Sequence, residues 1–178
     1  GGWGDSPDSP SNVAATVLSI AALTMAEVPW AETLDRSREW IEDMTQDVDV
    51  VRAIRHRYGD DRTFQSPILA ACALAGLVEW KDVPALPFEF AAMPRGLHAL
   101  LRLQVVSYAL PALIAVGALI YMKRGGDSPF RSLLRMLTVG RAMKMLPDLQ
   151  PASGGFLEAA PLTGFVAMSL VEVVGRDH

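Results

Sequence analysis

Two kinds of helical pattern alternate along this chain. Segments of small apolar residues, such as Val13–Thr24 and Ile68–Leu77, are separated by segments like Ala31–Met44, in which charged residues surround a narrow apolar stripe. A helix that is apolar all round is typical of a buried helix, whereas a one-sided stripe is typical of a helix that faces water. Strand patterns are few. The alternation therefore predicts an all-α protein with an inner and an outer layer of helices.

Local signals set the expected helix ends. Asn12 or Ser11 is placed to cap the first helix, which we expect to end near Met25, and Gly59 is placed to end a helix over Asp47–Tyr58. In the charged helix the apolar stripe consists of Leu34, Ser37, Ile41 and Met44. Further helices are predicted over Gln65–Val78, Pro94–Met122 with an interruption at Pro111, Pro129–Leu146 and Pro161–Val174.

The chain also contains an internal repeat. Trp3, Phe64 and Phe156 each precede a short proline-containing loop or turn and a helix rich in small residues. Small side chains let inner helices approach closely around a cavity. We therefore expect residues 1–178 to form a single-domain fragment of an α/α toroid, with helical repeats beginning near these three aromatic residues. The alternative is an irregular helical bundle whose alanine-rich helices are coincidental.

One short motif occurs near both ends of the chain. Gln150, Gly154 and Phe156 fit the pattern Gln-x-x-x-Gly-x-aromatic, and Gly1 and Trp3 fit the end of the same pattern. A glutamine amide can tie the end of one helix to the start of the next. Glycine permits a tight turn, and an aromatic ring fills the gap between two helical hairpins. The motif is thus expected to stabilise the fold rather than to catalyse a reaction.

This motif resembles the glutamine–tryptophan repeat of squalene–hopene and oxidosqualene cyclases. The stretch Trp80-x-x-Val83-Pro84-x-x-Pro87-x-Glu89 is similar to one in the N-terminal barrel of bacterial squalene–hopene cyclases, and it also precedes a long apolar helix. The resemblance covers nearly the whole chain. It implies a monotopic membrane enzyme, an isomerase of triterpenoid and hopanoid biosynthesis, that cyclises a squalene-like isoprenoid in an apolar cavity.

The resemblance also implies which residues line that cavity, namely Ala71, Ala159, Ala160 and Pro161. The glutamine and tryptophan that the family has at some of these positions are replaced by alanine. The family's acid motif, Asp-x-Asp-Asp, does not occur in the sequence. We therefore assign no catalytic residue and expect this fragment alone to be inactive, with the remainder of the parent chain as its partner. A non-catalytic isoprenoid-binding or scaffold protein of the same fold is the alternative.

Charge is distributed unevenly. Residues 1–61 contain twelve acidic and five basic residues, whereas residues 92–147 contain eight basic residues and one acid. A basic, apolar half suits the surface of an anionic membrane. We expect peripheral binding on the cytoplasmic side, weakened by charge reversal at Arg131 and Arg135. The uncharged stretch Leu103–Met122 is long enough to span a bilayer, but a buried inner helix fits the repeat better, and a helical membrane-spanning subunit is the third alternative.

Several other classes of function are disfavoured. The single cysteine, Cys72, lies in an apolar run and is interpreted as a small buried residue. His56 and His98 are isolated, so no metal site is expected. The sequence has no phosphate-binding glycine loop, and no cofactor is expected. The basic residues lack interleaved aromatic residues, which disfavours a nucleic-acid partner.

Overall fold

The computed structural model describes six stretches of the chain, and over these it is helical and contains no β-strand. This confirms the all-α prediction. The described residues are 1–27, 29–46, 48–89, 110–124, 129–156 and 160–175, with the backbone alone at 129–131. The helices are α1 (Val13–Met25), α2 (Ala31–Thr45), α3 (Val50–Tyr58), α4 (Arg62–Leu74), a 3₁₀ turn (Trp80–Asp82), α5 (Leu110–Arg124), α6 (Pro129–Lys144), α7 (Leu146–Leu149) and α8 (Ala160–Val174).

The chain divides into two compact units, Gly1–Pro84 and Ala85–His178. Each is described here separately, and the prediction of a single domain stays a prediction. The first unit contains α1–α4 and the 3₁₀ turn, and the second contains α5–α8.

Helix α4 forms the core of the first unit. Its residues are buried without interruption from Gln65 to Ala73, as the uncharged sequence predicts. Helix α1 packs against α4, although it buries only one face, which includes Val17 and Ile20. Burial of an isoleucine or valine side chain stabilises a fold by about 1.5–3 kcal/mol. The contact between the two apolar helices therefore accounts for much of this unit's stability.

Helix caps in the first unit follow local chemistry. The side chain of Asn12 accepts the N–H of Ala15 at 2.9 Å, and Asp49 accepts the N–H of Arg52 at 2.9 Å. Gly59 ends α3 with φ +55, where its N–H donates to the carbonyl of Arg55. The predicted caps at Asn12 and Gly59 are confirmed, while α3 begins at Val50 rather than at Asp47, which lies outside the described residues.

Met44 does not belong to the buried stripe of α2. Leu34, Ser37 and Ile41 are buried as predicted, but Met44 is 56% exposed. Met44 lies in the last turn, one residue before α2 ends at Thr45. The prediction was wrong here because periodicity defines a helix face but not how far along that face neighbouring elements extend.

The second unit is built around α5. This helix is buried almost continuously from Pro111 to Ile120 and packs mainly against α8. Lys123 of α5 also forms an ion pair with Glu172 of α8 at 2.8 Å. Pro111 is the second described residue of α5, so the predicted interruption of the helix at this proline stays a prediction. Among the described residues no helix is both long and apolar enough to cross a membrane. Residues 94–109 of the predicted helix lie outside the described residues.

Gly117 lets Phe88 approach the backbone of α5 closely. A Cβ added at Gly117 would lie 2.8 Å from Cβ of Phe88, which is fully buried. Two carbon atoms cannot come this close without displacing the backbone that precedes α5. Absence of a side chain at this position is therefore a packing requirement.

We expect Gly117→Ala to destabilise the protein by about 1–3 kcal/mol, because the new methyl group collides with Phe88. Gly164→Ala in α8 is the matched control, since its Cβ would meet no described atom within 4 Å. That change should stabilise by up to about 1 kcal/mol through helix propensity. Chemical denaturation measures both effects, and equal shifts for the two variants would contradict the packing argument.

Candidate functional site

Gln150 closes a tight turn in the second unit. Its side-chain amide donates to the carbonyl of Gly154 at 2.7 Å, and Gly154 adopts φ +81, a conformation that side chains disfavour. The ring of Phe156 directly after this turn is 7% exposed. The predicted roles of the glycine and the aromatic ring fit this geometry. The glutamine, however, bonds within its own loop rather than directly to the next helix.

A threonine hydroxyl fastens the turn to α8. The N–H of Phe156 donates to Oγ1 of Thr163 at 2.9 Å, and the same hydroxyl lies 3.4 Å from the carbonyl oxygen of Phe156. Thr163 is the fourth described residue of α8, and helical side chains point back towards the beginning of their helix. The threonine hydroxyl thus contacts both the N–H and the carbonyl group of the aromatic residue. We call this pair of contacts the aromatic–threonine clamp.

The first unit contains the same clamp. The N–H of Trp3 donates to Oγ1 of Thr16 at 2.9 Å, and Thr16 Oγ1 lies 3.3 Å from the carbonyl oxygen of Trp3. Thr16 lies in the first turn of α1, after the cap Asn12, and Thr163 lies near the beginning of the described part of α8. The hydroxyl of Ser37 in α2 also donates to the carbonyl of Gly1 at 3.0 Å. The segments at Trp3 and Phe156 are therefore held by the same type of hydrogen bond between an aromatic residue's N–H and a threonine hydroxyl.

Phe64, the aromatic residue of the remaining predicted repeat, has a different environment. It lies inside α4, is 58% exposed and stacks on Tyr58 with 5.7 Å between the ring centroids. Its helix begins two residues earlier, at Arg62, so no loop separates the ring from the helix. The clamp thus relates the segments at Trp3 and Phe156, and Phe64 does not share it.

The clamp yields a matched pair of variants. Thr163→Val should cost about 1–3 kcal/mol, because it leaves the N–H of Phe156 without its acceptor, whereas Thr163→Ser keeps the hydroxyl and should cost less. Denaturant titration of both variants provides the measurement. If valine is no more destabilising than serine, loss of the hydroxyl carries no cost of its own, and the clamp does not stabilise the fold.

The proline-rich connection ends at Glu89, which forms a buried ion pair in the second unit. Phe88 and Glu89 close the Trp80–Glu89 stretch, and both are buried. Nε of Arg135 in α6 donates to Oε2 of Glu89 at 3.3 Å, with both side chains almost fully removed from water. The guanidinium carbon lies 5.8 Å from the ring centroid of Phe88 and 5.9 Å from that of Tyr121. An arginine between two aromatic faces gains a further cation–π attraction.

The position of Arg135 corrects one sequence-based interpretation. Arg135 was expected to face an anionic membrane, but it is 3% exposed and forms an ion pair with Glu89. Charge reversal at Arg135 would place two carboxylates together in the core, so it does not test lipid binding. The side chain of Arg131 lies outside the described set.

Breaking the ion pair from one side should be costly. Arg135→Met leaves the Glu89 carboxylate buried without its partner, which typically costs about 3–5 kcal/mol. The double variant Glu89→Met/Arg135→Met removes both charges and should recover most of that loss, because an apolar pair needs no desolvation. Denaturation of both single variants and the double variant forms the cycle. Additive losses in the double variant would show that the two residues act independently.

The predicted cavity-lining residues occupy contrasting positions. Ala71 is buried in the middle of α4 in the first unit. Ala160 and Pro161 are the first two residues of α8 in the second unit, and both are exposed. Ala159 lies outside the described residues. Each unit is described separately, so the prediction that these residues share one cavity stays a prediction.

A cleft in the first unit lies between α1, α2 and the start of α3, and its volume is about 390 Å³. Its apolar wall is formed by Val17, Ile20, Ile41 and Leu77. Charged side chains of both signs, Arg38, Glu42 and Asp49, also line it. None of the predicted cavity residues lies in its lining, and the opposite charges favour no single class of charged ligand.

Nucleophilic and metal chemistry find little support in the described part of the chain. Burial raises the pKa of the Cys72 thiol to about 12, so the thiol stays protonated at neutral pH, in agreement with its interpretation as a buried apolar residue. No group of three or more metal-ligating side chains occurs among the described residues. His98 lies outside them, and His56 is exposed on α3.

Three residues of these sites were missed from the sequence. Thr16 and Thr163 lie at different distances from their aromatic partners, because the intervening loops differ in length. Counting from the predicted helix starts, Val13 and Pro161, does not align them either, so the sequence carried no signal for this pair. Arg135 lies on the same face of α6 as the buried Ala142, and opposite Leu137. A helix pattern with an arginine opposite a leucine predicts an exposed arginine, so α6 by itself carried no signal for the burial of Arg135.

Comparisons of the chain with protein-family models, curated proteins and solved structures found no match.

Proposed function

We propose that this chain is part of a triterpene cyclase of the squalene–hopene type, in which it forms one wall of an α/α toroid around an apolar cavity. The observation that carries the proposal is the turn from Gln150 to Phe156. Its glutamine, glycine and aromatic ring form a closed turn ahead of an apolar helix. The glycine and the aromatic ring take the roles that the resemblance to the glutamine–tryptophan repeat implies, whereas the glutamine bonds within its own loop.

The second clamp supports a repeated architecture. Trp3 and Phe156 are 153 residues apart, yet the backbone N–H of each donates to a threonine hydroxyl of the following helix. Repeat proteins build one supersecondary unit several times, and each unit buries the apolar face of its neighbour. A toroid of helical hairpins uses this principle, and the apolar helices α1, α4, α5 and α8 are suited to its inner layer.

The proposed substrate is a squalene-like polyprene. Removing its apolar surface from water supplies about 25 cal/mol per Å², so binding needs few polar contacts. Aromatic faces stabilise the cations that develop during cyclisation. Protonation of the first double bond would need an acid from the remainder of the parent chain, because the sequence contains no Asp-x-Asp-Asp run. In this division of roles the chain shapes the cavity and does not donate the proton.

A non-catalytic isoprenoid-binding or scaffold protein of the same fold is the second candidate. The missing acid motif favours it as much as it favours a divided enzyme. An Asp-x-Asp-Asp run in the remainder of the parent chain separates the two candidates. In both, a water-insoluble ligand would have to come from lipid, so a peripheral position on the cytoplasmic membrane surface is part of the proposal.

Ligand binding and product formation test the proposal together. We expect the full chain to bind detergent-dispersed squalene, seen as a change in tryptophan fluorescence, without forming a cyclised product by gas chromatography. Ala160→Trp places a large ring at the predicted cavity wall and should weaken binding by roughly tenfold, about 1.4 kcal/mol. Ala31→Trp, also at the exposed first residue of a helix, is the matched control.

The outcomes separate the parts of this proposal. Absence of squalene binding would contradict the isoprenoid function, and equal binding by both tryptophan variants would contradict the assigned wall. A cyclised product from the purified chain would show that the proton donor lies within these 178 residues.

A further inference from the structure

Helix α6 has a buried arginine and exposed large apolar side chains in its middle turns. It buries Arg135 and exposes Leu133, Met136 and Leu137, whose exposed fractions are 52%, 59% and 69%. A soluble helix typically does the opposite, with apolar residues inside and charges outside. Single exposed apolar residues are common, but a contiguous group of them is a feature of interaction surfaces.

The exposed residues of α6 form one continuous surface. Leu133, Leu137 and Lys144 follow one another at spacings of four and seven residues, so they lie on one side of the helix, with Arg141 beside them. Arg135 and Ala142 occupy the opposite side and are buried. We call the exposed side, made of Leu133, Leu134, Met136, Leu137, Arg141 and Lys144, the outer face of α6.

The charges on the outer face of α6 are all positive and lie near the C-terminal end of the helix. Pro129–Lys144 contains no aspartate or glutamate, and both Arg141 and Lys144 are exposed in its last turns. The leucines and Met136 lie within residues 133–137 and the two cations within 141–144, so apolar and cationic residues are separated along the helix axis. A bilayer surface offers both required environments, acyl chains for the leucines and anionic headgroups for the cations.

A second copy of the chain fits this face less well. Antiparallel pairing of two outer faces would place Arg141 and Lys144 over the partner's leucines, and parallel pairing would bring like charges together. Neither arrangement supplies an anion for the two cations. Charge complementarity therefore favours lipid.

We propose that the outer face of α6 binds an anionic lipid surface, with Leu133 and Leu137 immersed at the headgroup boundary and Arg141 and Lys144 paired with lipid phosphates or carboxylates. The buried Glu89–Arg135 pair holds the helix in this rotation, because the guanidinium anchors the opposite side. The inference rests on the proposed function in one respect, since a lipid-soluble substrate is the reason for the protein to bind a membrane. Membrane binding itself does not require the cyclisation reaction.

Vesicle sedimentation tests the surface directly. We expect the full chain to bind vesicles of phosphatidylcholine with about one third phosphatidylserine more tightly than pure phosphatidylcholine vesicles, and salt to reduce the difference. Leu133→Ser/Leu137→Ser should lower partitioning onto the anionic vesicles at least roughly tenfold. Arg141→Glu/Lys144→Glu should lower it by a similar factor and remove the preference for phosphatidylserine.

Matched controls lie in the first unit, where Met44 and Phe64 are exposed apolar residues and Arg57 and Arg62 are exposed cations. Met44→Ser/Phe64→Ser and Arg57→Glu/Arg62→Glu should leave partitioning within about twofold of the unchanged protein. Helical circular dichroism confirms that each variant is folded. Equal losses in control and test variants, or no binding to either vesicle, would overturn the assignment.

Two further outcomes are decisive. If Leu133→Ser/Leu137→Ser abolishes a concentration-dependent dimer in sedimentation velocity while vesicle binding stays unchanged, the face binds a second copy and the proposal is wrong. Vesicle binding that needs the outer face, in a protein that does not bind squalene, would support this inference and contradict the proposed function instead.

Discussion

A threonine hydroxyl next to an aromatic backbone holds the turn at each end of this chain. Thr16 and Thr163 accept the N–H groups of Trp3 and Phe156, which precede their helices and have no helical partner of their own. A buried amide without an acceptor is costly, so this single contact decides where each loop meets its helix. The close packing of Gly2, where an added Cβ would lie 2.7 Å from Thr16 Oγ1 and 2.6 Å from the Trp40 ring, depends on the same contact.

The helices themselves were predictable because their signals are local. Asn12 and Gly59 act on backbone groups within four residues of themselves, and the uncharged run of α4 leaves few arrangements other than burial. Met44 shows where this reasoning ends. Its exposure depends on which neighbour covers the last turn of α2, and periodicity carries no information about that.

The same distinction applies to the candidate site. Glycine and aromatic positions in the Gln150–Phe156 turn follow from backbone requirements, and they were identified from the sequence alone. Arg135 was assigned to the surface because an arginine in isolation is more stable in water. Its burial depends on Glu89, which lies 46 residues earlier, and on two aromatic rings from other segments. A pattern confined to one helix cannot contain a partner at that distance in the sequence.

That separation has a consequence for the order of folding. Joining Glu89 to Arg135 closes a loop of 46 residues, whose entropy must be lost before the ion pair contributes any stability. The hydrogen bonds of α5 and α6 span only four residues each and need no such closure. Loop-closure entropy therefore favours helix formation ahead of the ion pair, with the carboxylate and the guanidinium still hydrated at that stage. Their dehydration belongs to the final closing of the second unit, so the ion pair acts mainly on the rate at which this unit opens.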